Sequence, residues 1–155
     1  MFVLCGYGES AAKEYAEGIL KLETKLAESH YDNVKLRRPY DNYHNVSVAQ
    51  LKEQVPEIDW TGLFKELNIE IDSLNLCQPE PVQMAGNLIE KEDIALLKAY
   101  MQWQVIRGAS KYLSDDFREA NFEFYGKTLT GVQVMQPRWK YAQGTVNSCL
   151  GEAVG

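Results

Sequence analysis

The chain has 155 residues, 45% apolar and 25% charged, which fits one globular domain able to bury about two-thirds of its unfolded surface. Its 16 Lys and Arg against 22 Asp and Glu leave a net charge of -6. The bases are scattered among acids and the run Lys35-Leu36-Arg37-Arg38 is short, which excludes the basic stripe a nucleic-acid partner requires. Cys5, Cys77 and Cys149 lie far apart with no C-x-x-C pair, so free thiols are expected, buried and inert in apolar surroundings, with no zinc knuckle. Met1-Phe2-Val3-Leu4-Cys5 lacks the basic start and long apolar run of a signal peptide. No run approaches the ~20 apolar residues of a membrane span, so no membrane contact by this segment is expected.

Gly6 and Gly8 break the chain before the first clear helix, predicted over residues 10–29. Ala12, Tyr15 or Ala16, Ile19, Leu22 or Glu23, and Leu26 form its inner stripe; Lys13, Glu14, Glu17, Lys21 and Lys25 face away. Residues 30–46 keep no period and carry Asp, Asn and Pro turn chemistry, which predicts a long packed loop. Ser47 with Gln50 is a capping-box pattern opening a short helix to Gln54, which Pro56 ends, and Asp59 caps the next, residues 60–67. Residues 73–77 alternate polar and apolar and stop before Pro79, the only strand candidate in the sequence.

Pro79 or Pro81 then opens a helix carrying Val82, Ala85, Leu88 and Ile89. Residues 93–113 hold the longest amphipathic pattern, with Ile94, Leu97, Met101 or Tyr100, Ile106 with Val105, Ala109 and Tyr112 on its face. Ser114 and Asp115 cap a helix containing Phe117, Ala120, Phe122, Phe124 and Tyr125, and Gly126 and Gly131 bracket a turn. The last helix starts at Pro137, whose fixed φ suits a first helical position. It carries Trp139, Ala142, Val146, Cys149 or Leu150, and Ala153 as one stripe. Gly155 reads as a C-cap or as an internal glycine of a longer, interrupted helix. The expected fold is mainly α: an irregular multi-helix single domain over residues 1–155, with at most one short strand or hairpin and no internal repeat.

Chemistry finds little support in these residues. His30 and His44 are fourteen residues apart, too far for one helix face to aim both at a zinc ion; with Asp32 and Asp41 nearby, a metal site is weighed and rejected in favour of surface or packing roles. No histidine is marked as the partner of a cysteine nucleophile, no Gly-x-Ser-x-Gly elbow is present, and Gly6-Tyr7-Gly8 follows no convincing strand. The acids Glu90, Glu92 and Asp93, and Asp115, Asp116 and Glu119, read as solvated faces and first-turn charges rather than paired catalytic carboxylates. Phe117, Phe122, Phe124 and Tyr125 could line a ligand slot, but at that density they are expected to anchor a core. Asn45-Val46-Ser47 is a glycosylation sequon. No catalytic, cofactor-binding or metal residue is assigned.

Four blocks nevertheless stand in a specific order: Leu22-Glu23-Thr24-Lys25-Leu26-Ala27; Tyr43-His44-Asn45 with Val48-Ala49-Gln50-Leu51 and Ile58-Asp59-Trp60; Leu97-Lys98-Ala99-Tyr100-Met101-Gln102-Trp103; and Phe124-Tyr125-Gly126-Lys127-Thr128-Leu129-Thr130-Gly131. The last continues into Pro137-Arg138-Trp139-Lys140, Val146-Asn147 and Leu150-Gly151-Glu152-Ala153-Val154-Gly155. With these blocks the chain resembles the N-terminal peptidase region of the neprilysin and endothelin-converting-enzyme family of zinc metalloendopeptidases, over essentially its whole length. The resemblance implies a fragment of the non-catalytic helical lobe that covers the active-site cavity. The His-Glu-x-x-His zinc motif and the substrate strand would lie downstream, so zinc would belong to the parent enzyme and not to this segment. Its partners would be the catalytic lobe of the same polypeptide and, through it, peptide substrates. An extracytoplasmic compartment, periplasmic or cell-surface, is implied for the parent. Vertebrate members carry a cysteine after the Trp-basic pair, where this chain has Tyr141 and Ala142, a departure that implies a disulfide-poor bacterial-type member. Glu152 is expected to be structural or inter-lobe. The competing expectation is a self-standing helical protein-interaction module.

Overall fold

A computed structural model describes residues 1–154; the reading of Gly155 as a helix end falls outside them. The described backbone is mainly helical, with one antiparallel pair of three-residue strands. Its contacts group into two compact units, residues 8–102, and residues 1–7 together with the chain from Trp103 onward.

In the unit 8–102, α1 (Glu9–Ser29) buries Ile19 and Leu22 and half-buries Ala12, Tyr15 and Leu26, the expected stripe. Residues 30–46 are not a loop throughout. Asp32 accepts from the N–H groups of Val34 and Lys35 and starts α2 (Asn33–Leu36). Asn42 Nδ2 donates to the carbonyls of Lys35, Leu36 and Arg38, tying the 3-10 turn Tyr40–Asn42 to α2. Such one-turn helices are held by Asx chemistry, which leaves no period in the sequence.

Strand β1 (Asn45–Ser47) pairs antiparallel with β2 (Ser73–Asn75), Val46 opposite Leu74. The expected strand at 73–77 is therefore present but shorter, and its partner is too short to show alternation. Both halves of the capping box close α3 (Val48–Gln54), Gln50 N–H to Ser47 Oγ at 3.1 Å and Ser47 N–H to Gln50 Oε1 at 2.8 Å. Asp59 caps α4 (Trp60–Glu66) through Gly62 N–H. Leu51, Val55, Trp60 and Leu76 form the core, with Val46, Ile58, Phe64, Leu74 and Val82 packed around it. Trp60 Nε1 donates to Val55 O at 2.9 Å, so the indole buries its area without stranding its N–H.

Pro79 opens α5 (Pro79–Lys91), which lies against α1 and buries Gly86 and Leu88; Ile89, expected inward, is 52% exposed. Helix α6 (Ile94–Ala109) has 16 residues against 21 in α1, and residues 110–112 tighten into a 3-10 turn. Its packed face also differs from the expected one: Ala99 is buried, whereas Ile94, Met101, Val105 and Tyr112 are exposed. Apolar residues surround most of this helix, so periodicity alone selects no face.

In the other unit Phe2 is buried, its ring edge-on to Tyr7 at 5.5 Å and tilted against Trp103 at 6.5 Å. Helix α7 (Asp115–Asn121) follows Ser114, which supplies the extended N-cap backbone but no side-chain cap bond. The chain does not turn at Gly126. It continues as a π-helix, Phe122–Thr128, in which Thr128 Oγ1 bonds the carbonyl five residues back, on Glu123. The turn comes at Gly131, φ 70°, whose N–H bonds Lys127 O while Val132 N–H bonds Gly126 O, a glycine-terminated helix end. Helix α8 (Arg138–Val154) starts directly after Pro137. Cys5, Cys77 and Cys149 are free thiols as expected, but all three are exposed rather than buried.

Candidate functional site

The residues first considered for chemistry are dispersed or already engaged. His30 is exposed. His44 is half-buried, its Nδ1 buried without a hydrogen-bond partner. Asp32 caps α2 and Asp41 faces Arg38 at 3.7 Å. Glu92 pairs with Lys25, and Asp93 accepts from Ala95 N–H at the start of α6. Among the described residues no three of His, Cys, Asp or Glu lie together as a metal-holding group. Glu80, near the start of α5, is held below the usual carboxylate range by its own backbone N–H; burial opposes this, while the Tyr31 hydroxyl, Lys35 and His44 add to it. Asn45 of the sequon is exposed.

The best-built polar structure joins α7 to α8 and was not foreseen. Arg118 is 7% exposed; its Nη1 donates to Asp115 Oδ1 at 2.7 Å and its Nη2 to Gln136 O at 3.3 Å. Arg138 Nη2 donates to the same Asp115 oxygen at 2.9 Å and to Leu113 O at 2.9 Å. Hydrogen bonds from Arg138 and then Arg118 hold the Asp115 carboxyl below its ordinary range. Asp116 and Glu119 are solvent-exposed, as read from the sequence, but Asp115 is a clasp and more than a first-turn charge. The i,i+3 spacing of Asp115 and Arg118 was the available local signal; nothing local announces Arg138. Two further ties accompany the clasp. Asn121 Nδ2 donates to the buried Ser110 Oγ at 2.8 Å. The Tyr112 side chain bonds that of Thr145, which, with Lys111, lowers the phenol's pKa.

These anchors set the rotation of α8. Tyr141 and Thr145 are half-buried, whereas Trp139, Val146 and Leu150 are 61%, 53% and 52% exposed. The apolar stripe thus faces outward, because it is centred about 100° around the helix from Arg138, Tyr141 and Thr145 at 3.6 residues per turn. The aromatic group is likewise only partly internal: Phe117, Phe122 and Tyr125 are half-buried, and Phe124 is 53% exposed with its ring edge-on to Tyr125. With Leu129, Val132 and Val134 also exposed, this unit presents more open apolar side chains than scattered surface residues usually account for. No described helix is long and apolar enough to cross a membrane.

This arrangement of helices is that of a region of a zinc metalloprotease. Structures of Zmp1 from Mycobacterium tuberculosis, in an open state and with an inhibitor, each match with TM-score 0.88 and 32% identity over 95% of this chain and 23% of that one. The model of the N-terminal region of peptidase family M13 matches residues 1–155, and the chain belongs to that family. Relatives include endothelin-converting enzyme 1 of Rattus norvegicus, 28% identical over 99% of this chain and 21% of that protein. Endothelin-converting enzyme-like 1 of Mus musculus is 31% identical over 96% of this chain and 20% of that protein. The chain spans about a fifth of the length of the relatives it matches. The resemblance carried by the four sequence blocks is therefore the correct family.

Proposed function

We propose that the chain is a segment of the non-catalytic helical lobe of a neprilysin-like zinc metalloendopeptidase that hydrolyses peptides, acting outside the cytoplasm. Residues 1–155 serve as one structural domain and contribute no catalytic, cofactor-binding or metal-binding side chain. The metal and the hydrolytic chemistry belong to the remainder of the parent polypeptide; the match of this chain to the N-terminal region of peptidase family M13 supports that reading. Glu152 has a structural or inter-lobe role.

The observation that carries this reading is the outward apolar face of α8, where Trp139, Val146 and Leu150 stand open on a helix whose rotation is fixed by polar bonds on another side. Covering what remains exposed of such a face is worth roughly 1–2 kcal/mol for each large side chain, and its natural occupant is the catalytic lobe of the same polypeptide. The isolated chain should self-associate in light scattering and bind a hydrophobic dye. Replacing Trp139, Val146 and Leu150 together by serine should reduce both. It should hold no stoichiometric zinc and cleave no peptide. A monodisperse monomer without dye binding would favour the self-standing interaction module, and one tightly bound zinc with chelator-sensitive peptidase activity would overturn the division of labour.

A further inference from the structure

Residues of the 3-10 turn Ser110–Tyr112, α7, the π-helix and α8 surround a cavity of about 210 Å³. Arg118 and Lys111 lie in its wall, with Asn121, Tyr125 and Tyr141, and Phe122 and Met135 add apolar surface. The π-helix makes part of this space. A Cβ on Gly126 would lie 2.3 Å from the Phe122 ring, so the ring folds over backbone that only glycine leaves open.

The charge around the cavity is unbalanced. Arg118 is buried, yet the one carboxylate it reaches is shared with Arg138, both donating to Asp115 Oδ1. Its hydrogen bonds go to Asp115 and to the Gln136 carbonyl, two of the five N–H donors a guanidinium carries. Lys111 brings another positive charge to the same wall, its ammonium 5.0 Å from the Tyr112 ring centroid. A guanidinium removed from water is stabilised by a further charged acceptor. The Tyr141 ring, 5.6 Å from the Arg118 guanidinium carbon, gives a face against which an organic body can rest. The volume falls below the ~300–1,000 Å³ of drug-sized sites, so an occupant must be compact.

We propose that this cavity binds a small organic carboxylate of about amino-acid size, its carboxylate on Arg118 and its body against Phe122, Tyr125 and Tyr141. The site does not depend on the peptidase reading. The test is NMR of tyrosine and arginine side chains of the 155-residue chain, titrated at constant ionic strength with N-acetylglycinate and, separately, with neutral N-acetylglycinamide. The carboxylate should give saturable shifts at Tyr125, Tyr141 and Arg118, and the amide should bind roughly tenfold more weakly or worse, as expected for loss of a charge-assisted bond. Tyr125→Ala should weaken binding and Arg118→Gln should abolish it. Equal responses to both compounds, or no saturable shift, would overturn the proposal on the unaltered chain even if Arg118→Gln does not fold. Unchanged affinity in Tyr125→Ala would overturn the assigned pose.

Discussion

Gly86→Ala is a sensitive probe of the core, because two known effects oppose each other there. Gly86 is buried in α5, and a Cβ added to it would lie 2.6 Å from Val55 Cγ1 and 2.9 Å from Glu57 Oε2. Carbon atoms pack at ~3.5–4.0 Å, so the methyl arrives about 1 Å too close to Val55. The Glu57 carboxylate can swing away, being the end of a flexible chain. Val55 is 0% exposed, branched at Cβ and clustered with Leu51, Trp60 and Leu76, so it yields less readily. Overpacking of this kind costs ~1–3 kcal/mol, and replacing a helical glycine by alanine returns about 1 kcal/mol. The net expectation is a loss of roughly 1 kcal/mol, or about 2–4 °C in Tm for a chain of this size. Urea unfolding should show a lower midpoint with an unchanged slope. In a Val55→Ala background the added methyl enters the space just vacated, and the same change should become stabilising by about the helix-propensity gain. A Gly86→Ala chain as stable as the parent, or a penalty that persists without the Val55 methyls, would refute the close-packing argument.

Asp115→Asn tests the clasp through pH. Because Arg138 and Arg118 hold the folded carboxyl below its ordinary value, its contribution is present above the unfolded pKa, about 3.9, and is lost as pH falls through the lower folded value. Urea midpoints measured downward from neutral pH should therefore drop less steeply below about pH 4 in the variant; parallel curves would mean that the bridge does not contribute. Ser47→Ala removes the acceptor of the 3.1 Å bond from Gln50 N–H and should cost about 1 kcal/mol, with Ser47→Gly milder. An alanine variant with the parent's midpoint would show that α3 is held by Leu51 packing alone.

The sequence exposed those parts of the fold whose signals are local and repeated. The α1 stripe runs for about four turns, and the Ser47/Gln50 box and Asp59 cap satisfy backbone donors within three residues of themselves. What stayed hidden depends on partners far along the chain. Strand β1 is three residues long and acquires its identity from β2, whose paired residues lie 26 to 30 positions later. The π-helix leaves helical propensities unchanged while shifting register, so Gly126 reads as a turn when it is in fact the floor beneath the Phe122 ring. Arg138 meets Asp115 across 23 residues, and that bond, rather than hydrophobic periodicity, decides which side of α8 turns inward. The family was legible because its blocks are ordered motifs; the cavity beside Arg118 was not, since its walls come from four separated stretches.

The block from Pro137 onward carries two opposed demands. Arg138, Tyr141 and Thr145 are polar or amphipathic and make the contacts that place α8; Trp139, Val146 and Leu150, interleaved with them, are apolar and left open. If burying apolar area within this chain were the only demand, the helix would rotate by about a quarter turn and cover the stripe, a gain of several kcal/mol on area alone. It does not: that rotation would break the bonds from Arg138 to Asp115 Oδ1 and to Leu113 O, while Arg118 would keep Asp115, its neighbour within α7. The clasp therefore holds the apolar face outward at a standing energetic cost to the isolated chain. That cost would be offset if the remainder of the parent polypeptide covers the face, as proposed above, so the orientation of α8 is what the proposal turns on.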